Sequence, residues 1–326
     1  MTIFSRPETT PYFNIAAEEF LLKHFDGDAF TLWRNEPAII VGKHQNTHAE
    51  IHLDVVQSQN IPVIRRLSGG GAVFHDLGNI CFTFVKTKQP NEICDFSTFT
   101  KPIIELLQQL GVNAEFSGRN DLTIGGKKFS GNAEATWNNR VLHHGTLLFS
   151  SKLTDLSQAL RVHSDKFQDK AVKSVQSRVT NIEDHLHEKM SVMDFMNLIE
   201  MHILKDFPNA ERREFSKEEC EQIEKLAKEK YQTWDWNFGQ SPTYTYSQRL
   251  RTQVGGSIEV CLVVKNGNIE YAQFFGDFFE KKDVKEITKY LIGMKHERSE
   301  LLKKLEEIDI AEYFKHITKE EFLLLF

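Results

Sequence analysis

Five short apolar runs govern what this chain can fold into: AFTLW (29–33), AIIV (38–41), PVIRR (62–66), AVF (72–74) and ICFTFV (80–85). Each is closed off by Gly, Pro, Asn or Asp before it reaches the length of a helix, so the runs read as strands of a largely buried sheet. Helical spacing frames them. From Asn14 the apolar positions Ile15, Ala16, Ala17, Phe20, Leu21 and Phe25 recur as on one side of a helix, and 97–110 predicts a second helix that Gly111 ends in a left-handed cap. The first third of the chain is therefore a mixed α/β scaffold.

Two hairpin signals come next, LTI-GG-KKF at 122–129 and ATW-NN-RVL at 135–142. A charged region over 191–231 reads as helical, and after the tryptophans of TWDWNFG (233–239) the stretch SPTYTYSQ (241–248) has the composition of a linker. Beyond it, GSIEVCLVVKNGNIEYAQFFGDF alternates like two strands joined at Asn266-Gly267, ahead of helices from Lys282. We place a domain boundary near 245, giving domains of 1–245 and 246–326. A chain of 326 residues with 40% apolar content can supply a core for both.

Charge and cysteine usage narrow the function classes. A net charge of −6, with 26% charged residues of mixed sign, argues against a nucleic-acid-coating protein, so any cationic site must be local. No run approaches the roughly twenty apolar residues of a membrane span, and MTIFSRPETTPYF has no continuous apolar core behind its arginine, so no membrane association and a cytoplasmic location are expected. Cys81, Cys94, Cys220 and Cys261 are scattered without CxxC spacing, which reads as buried thiols rather than a zinc site or disulfide framework.

The Gly125-Gly126 pair suits a two-residue loop, because such turns need positive φ. The register that follows sets Ile124 opposite Lys127, Thr123 opposite Lys128, Leu122 opposite Phe129 and Asp121 opposite Ser130. Asp121, Thr123, Lys128 and Ser130 would then share a polar face, with Leu122, Ile124 and Phe129 on the other. A lysine held there can neutralise charge on a phosphate or carboxylate, and Asp121 can pair with it or hold Mg²⁺. A solvated surface hairpin carries the same residues, so spacing alone leaves the role of Lys128 open.

The second feature is RRLSGGGAVFHDLGNICFTF (65–84). A Walker loop or a Rossmann fingerprint would open a helix, whereas these glycines lie between two strand-like runs. Consecutive glycines let backbone N–H groups approach a ligand and form an anion-binding concavity, to which Arg66 could add a bidentate clamp. An enzyme handling an anionic, phosphorylated ligand is the reading this supports.

These residues resemble the lipoate-protein ligases. The resemblance rests on RRLSGGGAVFHDLGNICFTF (65–84), GRNDLTIGGKKFSGNAEA (118–135) and LHHGTLLFS (142–150), with GKHQN (42–46) and SVQSRVTNI (174–182) as supporting pieces, and it covers nearly the whole chain. It implies an α+β fold, a mixed β-sheet with flanking helices like the cores of biotin ligases and class II aminoacyl-tRNA synthetases, plus a small α/β C-terminal domain. It also implies ATP- and Mg²⁺-dependent conversion of lipoate to lipoyl-AMP, followed by transfer to a specific lysine of a lipoyl domain. The partners implied are the E2 subunits of 2-oxoacid dehydrogenases and the glycine cleavage H protein, with the ligase itself a monomer.

Carried over by position, Lys128 matches the active-site lysine that contacts both the lipoyl carbonyl and the α-phosphate. Arg66, Gly71, Ala72, Val73 and Phe74, with Lys128 and Asp121, match the ATP-binding part. Ser68, Gly69, Gly70 and His144 join Lys128 on the lipoate side, and Asp121 is the candidate Mg²⁺ ligand. Register arguments leave open which of His143 and His144 faces the site, because a bulge near Gly131 would reverse the alternation. Leu67, between Arg66 and Ser68, and Gln176 are small departures from the family pattern. Three rivals stand beside the ligase: a cysteine-dependent octanoyl or lipoyl transferase, a catalytically silent sensor of lipoate or nucleotide, and a biotin ligase. The first needs a reactive thiol, and neither SGGG nor KFSGNA contains one.

Overall fold

The computed structural model describes residues 1–88, 96–117, 120–152, 160, 178–241, 243–253, 256–276, 279–280 and 282–326. Cys94, Gln176 and the pair at 118–119 lie outside the described residues. The chain divides into two compact units, Met1–Thr233 and Trp234–Phe326.

In the first unit, β1 (Thr2–Ser5) leads into α1 (Pro11–Lys23), whose proline occupies the first turn, where its missing N–H costs nothing. Then come β2 (Ala29–Trp33), β3 (Ala38–Val41), the short helices α2 (Thr47–Glu50) and α3 (Leu53–Ser58), β4 (Val63–Arg65), β5 (Val73–His75) and β6 (Asn79–Thr87). The helix α4 (Phe96–Gln109) is followed by β7 (Ala114–Ser117), β8 (Asp121–Ile124), β9 (Lys127–Trp137) and β10 (Arg140–Leu148). All five apolar runs form strands. Gly111, with φ +81°, follows α4 as the expected left-handed residue.

The region read as helical over 191–231 is interrupted. The helix α5 (Val192–Asp206) stops ahead of Phe207-Pro208, because a residue before proline is pushed out of the α region. The chain then makes β11 (Glu211–Arg213), which pairs parallel with β1, before α6 (Lys217–Leu226). Both helices start on capping boxes, Ser191 with Asp194 and Ser216 with Glu219.

The main sheet has the order β11-β1-β2-β6-β10-β9-β8-β7, parallel through its first three strands and antiparallel beyond, while β4-β3-β5 form a second sheet. The registers sort the residues of the main sheet onto two faces. One face carries Phe30, Leu32, Phe82, Phe84, His143 and Leu147, and its apolar members share a core with Phe99, Ile103 and Leu107 of α4 and Phe195 and Ile199 of α5. The other face carries Thr31, Trp33, Cys81, Thr83, His144 and Thr146, and looks towards α1.

The β8–β9 hairpin turns at Gly125 (φ +57°) and Gly126 (φ +75°), with Ile124 opposite Lys127 and Thr123 opposite Lys128, as the turn requires. Beyond that the expected register fails. A bulge sets Leu122 against Ser130 and Asp121 against Gly131, with Phe129 as the extra residue. Leu122, Ile124 and Phe129 are all buried in the core, and the bulge lets Phe129 stay there.

In the second unit, β12 (Tyr244–Arg251), β13 (Ser257–Lys265) and β14 (Asn268–Gly276) form an antiparallel sheet. From Tyr244 on, the stretch read as a linker is strand: Tyr244 and Tyr246 turn inward from β12, packing against the core of this unit. Asn266 (φ +49°) and Gly267 (φ +75°) make the turn between β13 and β14. The short strands β15 (Phe279–Glu280) and β16 (Phe314–Lys315) pair, and α7 (Lys285–Leu291), α8 (Arg298–Glu306) and α9 (Lys319–Leu323) cover the sheet.

One glycine closes the first unit. Gly78 O accepts from the N–H groups of Phe149 (3.1 Å) and Ser150 (2.9 Å), and a Cβ at Gly78 would lie 2.3 Å from Ser150 O and 2.4 Å from Ser150 C. Backbone cannot step aside as a flexible side chain can. Gly78→Ala should therefore destabilise the protein by about 2 kcal/mol or more. Urea unfolding of both forms measures this, and an unchanged midpoint would contradict it.

Candidate active site

Two buried arginines, Arg65 and Arg66, at the end of β4 each fasten a loop to the sheet. Arg65 donates through Nη1 to the carbonyls of Gly42 (3.0 Å), Lys43 (3.0 Å) and Gln45 (2.8 Å), and through Nη2 to Thr47 Oγ1 (2.7 Å). It ties the GKHQN turn to the sheet. Arg66 does the same for the glycine stretch: Nε donates to Ser68 Oγ (3.0 Å), Nη1 to Ile40 O (3.1 Å), and Nη2 to Gly69 O (2.6 Å) and Gly71 O (2.8 Å). Burial pulls both guanidiniums down to about 10, which leaves them charged at neutral pH.

Because Gly69 O and Gly71 O point at Arg66, the trans peptide bonds direct the N–H groups of Gly70 and Ala72 the opposite way. Gly70 has φ +91°, and a Cβ on Gly42 would lie 2.0 Å from Gly70 O. Only glycine fits either place. The donors of Arg66 thus turn to the loop's own carbonyls rather than outward as a clamp.

On the hairpin, Lys128 Nζ lies 2.8 Å from Asp121 Oδ1, with 40% and 38% of these side chains exposed. An ion pair this exposed is worth about 0–1 kcal/mol, so an incoming anion can take the lysine from Asp121 at small cost. The lysine crosses over Gly131, where a Cβ would meet Nζ at 2.9 Å. Its backbone is fixed by a segment that the sequence offered only as part of a resemblance: Lys128 N–H donates to Arg178 O (2.8 Å), and Thr180 N–H donates to Lys128 O (2.9 Å).

Glycine loop and hairpin meet at a cavity of about 150 Å³ on the second face of the main sheet. Arg66, Gly70, Gly71, Ala72, Val73, Lys128 and His144 line it. Of the other residues expected at the site, Ser68 is buried behind the lining in contact with Arg66 and His144, Gly69 is half-buried ahead of the exposed Gly70 and Gly71, Phe74 is buried on β5, and Asp121 reaches the cavity through Lys128. The two histidines are told apart by register: His144 opposes Thr83 and faces the cavity, whereas His143 opposes Phe84 and stacks on Phe99 at 4.7 Å in the core.

Several site residues carried no sequence signal of their own. Asn120 and Asn132 exchange side-chain and backbone hydrogen bonds at the cavity edge. Glu18 of α1 is buried and receives His144 Nδ1 at 2.9 and 3.0 Å, and His144 Nε2 meets Ser68 Oγ at 2.6 Å. The one available hint was a Glu18-Glu19 pair inside an otherwise apolar helical run.

Cys81 also lines the cavity, but burial and the carboxylate of Glu18 push its thiol well above the ordinary range. A nucleophilic cysteine needs the opposite shift. Cys220 and Cys261 are only half-buried, so burial was not the common fate of the thiols.

Comparison with known proteins decides between the readings. Residues 10–204 match the lipoyl protein ligase A/B catalytic domain and 241–326 match the bacterial lipoate protein ligase C-terminus. The chain belongs to the lipoate-protein ligase family. It is 44% identical to a lipoate-protein ligase of Bacillus subtilis, over 96% of each chain, and 40% identical to lipoate-protein ligase 1 of Staphylococcus aureus, over 97% of each. Among solved structures, a lipoate-protein ligase A bound with ATP superposes with a TM-score of 0.63 at 26% identity, covering 74% of this chain and 100% of that one. The bipartite lipoate protein ligase of Thermoplasma acidophilum gives 0.63 at 27% identity, over 78% and 98%. The mixed sheet with flanking helices and the small C-terminal α/β unit are thus the ligase fold, and the cysteine-dependent transferase is not favoured.

The ligase buries histidines that resist protonation. Burial, then the charges of Arg66 and His144, hold His75 down to about 3, and burial lowers His143 as well. In the unfolded chain both imidazoles titrate near 6.5, so acid protonates the unfolded state first, and the stability present above that pH is lost progressively as pH falls towards 3. The urea midpoint should therefore drop between pH 7 and pH 5, with a shallower drop for His75→Gln. An equal drop in both proteins would contradict the assignment.

Proposed function

We propose that the ligase activates lipoate with Mg²⁺-ATP at the cavity between the glycine loop and Lys128, and passes the lipoyl group from lipoyl-AMP to a lysine of a lipoyl domain. The observation that carries this is the placing of Lys128, on a fixed strand over Gly131, at the same cavity as the outward N–H groups of Gly70 and Ala72. In-line attack of a carboxylate on the α-phosphate brings two anions together, so the site must supply cationic and N–H donors on both. Lys128 is the catalytic residue that bridges the lipoyl carboxylate and the α-phosphate. Gly71, Ala72, Val73 and Phe74 shape the ATP side, with Arg66 as the buried charge behind the loop. Ser68, Gly69, Gly70 and His144 support the lipoate side.

Asp121, freed when Lys128 turns to substrate, fits Mg²⁺ delivered as the nucleotide complex, because that ion keeps several waters and needs only one or two carboxylates beside the phosphates. The ion neutralises phosphate charge when bound. In the second half-reaction the acceptor lysine, deprotonated, attacks the mixed anhydride, AMP leaves, and an amide forms.

Acceptors of this kind are the lipoyl domains of 2-oxoacid dehydrogenase E2 subunits and the glycine cleavage H protein. The net charge of −6 supports a protein partner rather than nucleic acid. Among the described residues no helix is long and apolar enough to cross a membrane; we propose a monomer working in the cytoplasm.

Incubation with ATP, Mg²⁺ and lipoate should yield lipoyl-AMP and pyrophosphate, before and after alkylation of the thiols. Lys128→Ala should cut adenylate formation by at least about a hundredfold while the fold persists. Absence of adenylate, with acyl transfer abolished by alkylation, would overturn the ligase mechanism in favour of a cysteine transferase.

A further inference from the structure

Glu18 lies outside the cavity lining, yet two chains of hydrogen bonds run from cavity walls to its carboxylate. Their direction follows from donor chemistry. An ionised carboxylate only accepts, so the Nδ1 of His144 must carry its proton towards Glu18. In the neutral ring that leaves Nε2 bare to accept from Ser68 O–H, and the Ser68 oxygen accepts in turn from Arg66 Nε–H. On the other side, Trp33 Nε1–H can only donate, and it does so to Thr83 Oγ1 at 2.9 Å, whose own hydroxyl donates to Glu18 Oε1 at 2.6 Å. Arg66, His144 and Trp33 all line the cavity, and all are oriented by donors that run towards one side chain.

We infer that Glu18 is a positioning residue for adenylate formation, an acceptor that fixes the Nδ1–H tautomer of His144 and thereby sets Ser68, Arg66 and the carbonyls of Gly69 and Gly71. The inference rests on the reading of this cavity as the site of adenylation. It assigns the first helix a part in shaping a nucleotide loop more than forty residues further along the chain. Glutamine is the informative replacement. One oxygen of the amide keeps an acceptor, but the NH₂ group, placed where the second oxygen now faces Nδ1–H, repels that proton and favours the other tautomer. Ser68 then loses its acceptor, and the guanidinium of Arg66 loses the fixed partner of Nε.

Three readings test this on the full-length protein. Nitrogen-15 NMR of the native ligase should show His144 protonated at Nδ1 and bare at Nε2, and Glu18→Gln should populate the Nε2–H form. In lipoyl-AMP formation, Glu18→Gln and Ser68→Ala should each lower kcat/KM for ATP at least tenfold, and the double variant should lose no more than the worse single one, as members of one chain do. A purely structural contribution would lower thermal stability without moving the tautomer. Should Glu18→Gln fail to fold, the native tautomer and Ser68→Ala decide the matter. An Nε2–H ring in the native protein, a Glu18→Gln rate within twofold of an active wild type, or additive losses would each overturn the inference. Absence of adenylate from the wild type itself would instead overturn the reading of the cavity.

Discussion

A buried guanidinium must find hydrogen-bond acceptors, and in this protein the need of Arg66 is met by the backbone of the triple glycine. A charged group with unsatisfied donors in the interior costs several kcal/mol, so the loop is held to whatever shape presents its carbonyls inward. Inward carbonyls mean outward amides; the backbone turns through a positive φ at Gly70, and its carbonyl passes so close to position 42 that only glycine fits there. Arg65 secures the neighbouring turn in the same way. Arg66, read from the sequence as a phosphate clamp, is with Arg65 an interior fastener, and the loop surface turned away from its guanidinium is made of main chain.

The second constraint is the parity of the sheet. Residues on β2, β6 and β10 alternate strictly between the aromatic core and the cavity, so a site can be built on one face without disturbing the packing of the other. Lys128 joins that site from β9 across a bulge that keeps Phe129 in the core. The backbone of Arg178 and Thr180 then holds the lysine's main chain in place, while its half-exposed ammonium pairs with Asp121.

Much of this was legible in the sequence, and the reasons differ by residue. The apolar runs and the double-glycine turn announced strands and a hairpin because turn chemistry is local. The face of Lys128 followed from the turn alone, whereas the cross-strand neighbour of Asp121, Gly131 rather than Ser130, did not, because a bulge depends on how Phe129 packs rather than on its neighbours in the chain. His143 and His144 could have been separated by pairing LHHGT with ICFTF, since the phenylalanines of β6 mark the core face, but that pairing is long-range and no local signal specifies it. Glu18 was illegible for the same reason: its partners lie at 83 and 144, on strands far along the chain. SPTYTYSQ misled because Ser, Pro and Thr are common in linkers, while alternating tyrosines at 244 and 246 are what an edge strand with one buried face requires.

In the mechanism we propose, main-chain amides of the glycine loop receive the adenylate. Hydrogen exchange at Gly70 and Ala72, with and without a hydrolysis-resistant lipoyl-adenylate analogue that keeps its phosphate, tests this most directly. Exchange at both amides should slow at least tenfold on binding. Unchanged exchange there, with protection elsewhere around the cavity, would show that the loop is a structural turn and that the phosphate is held by other groups.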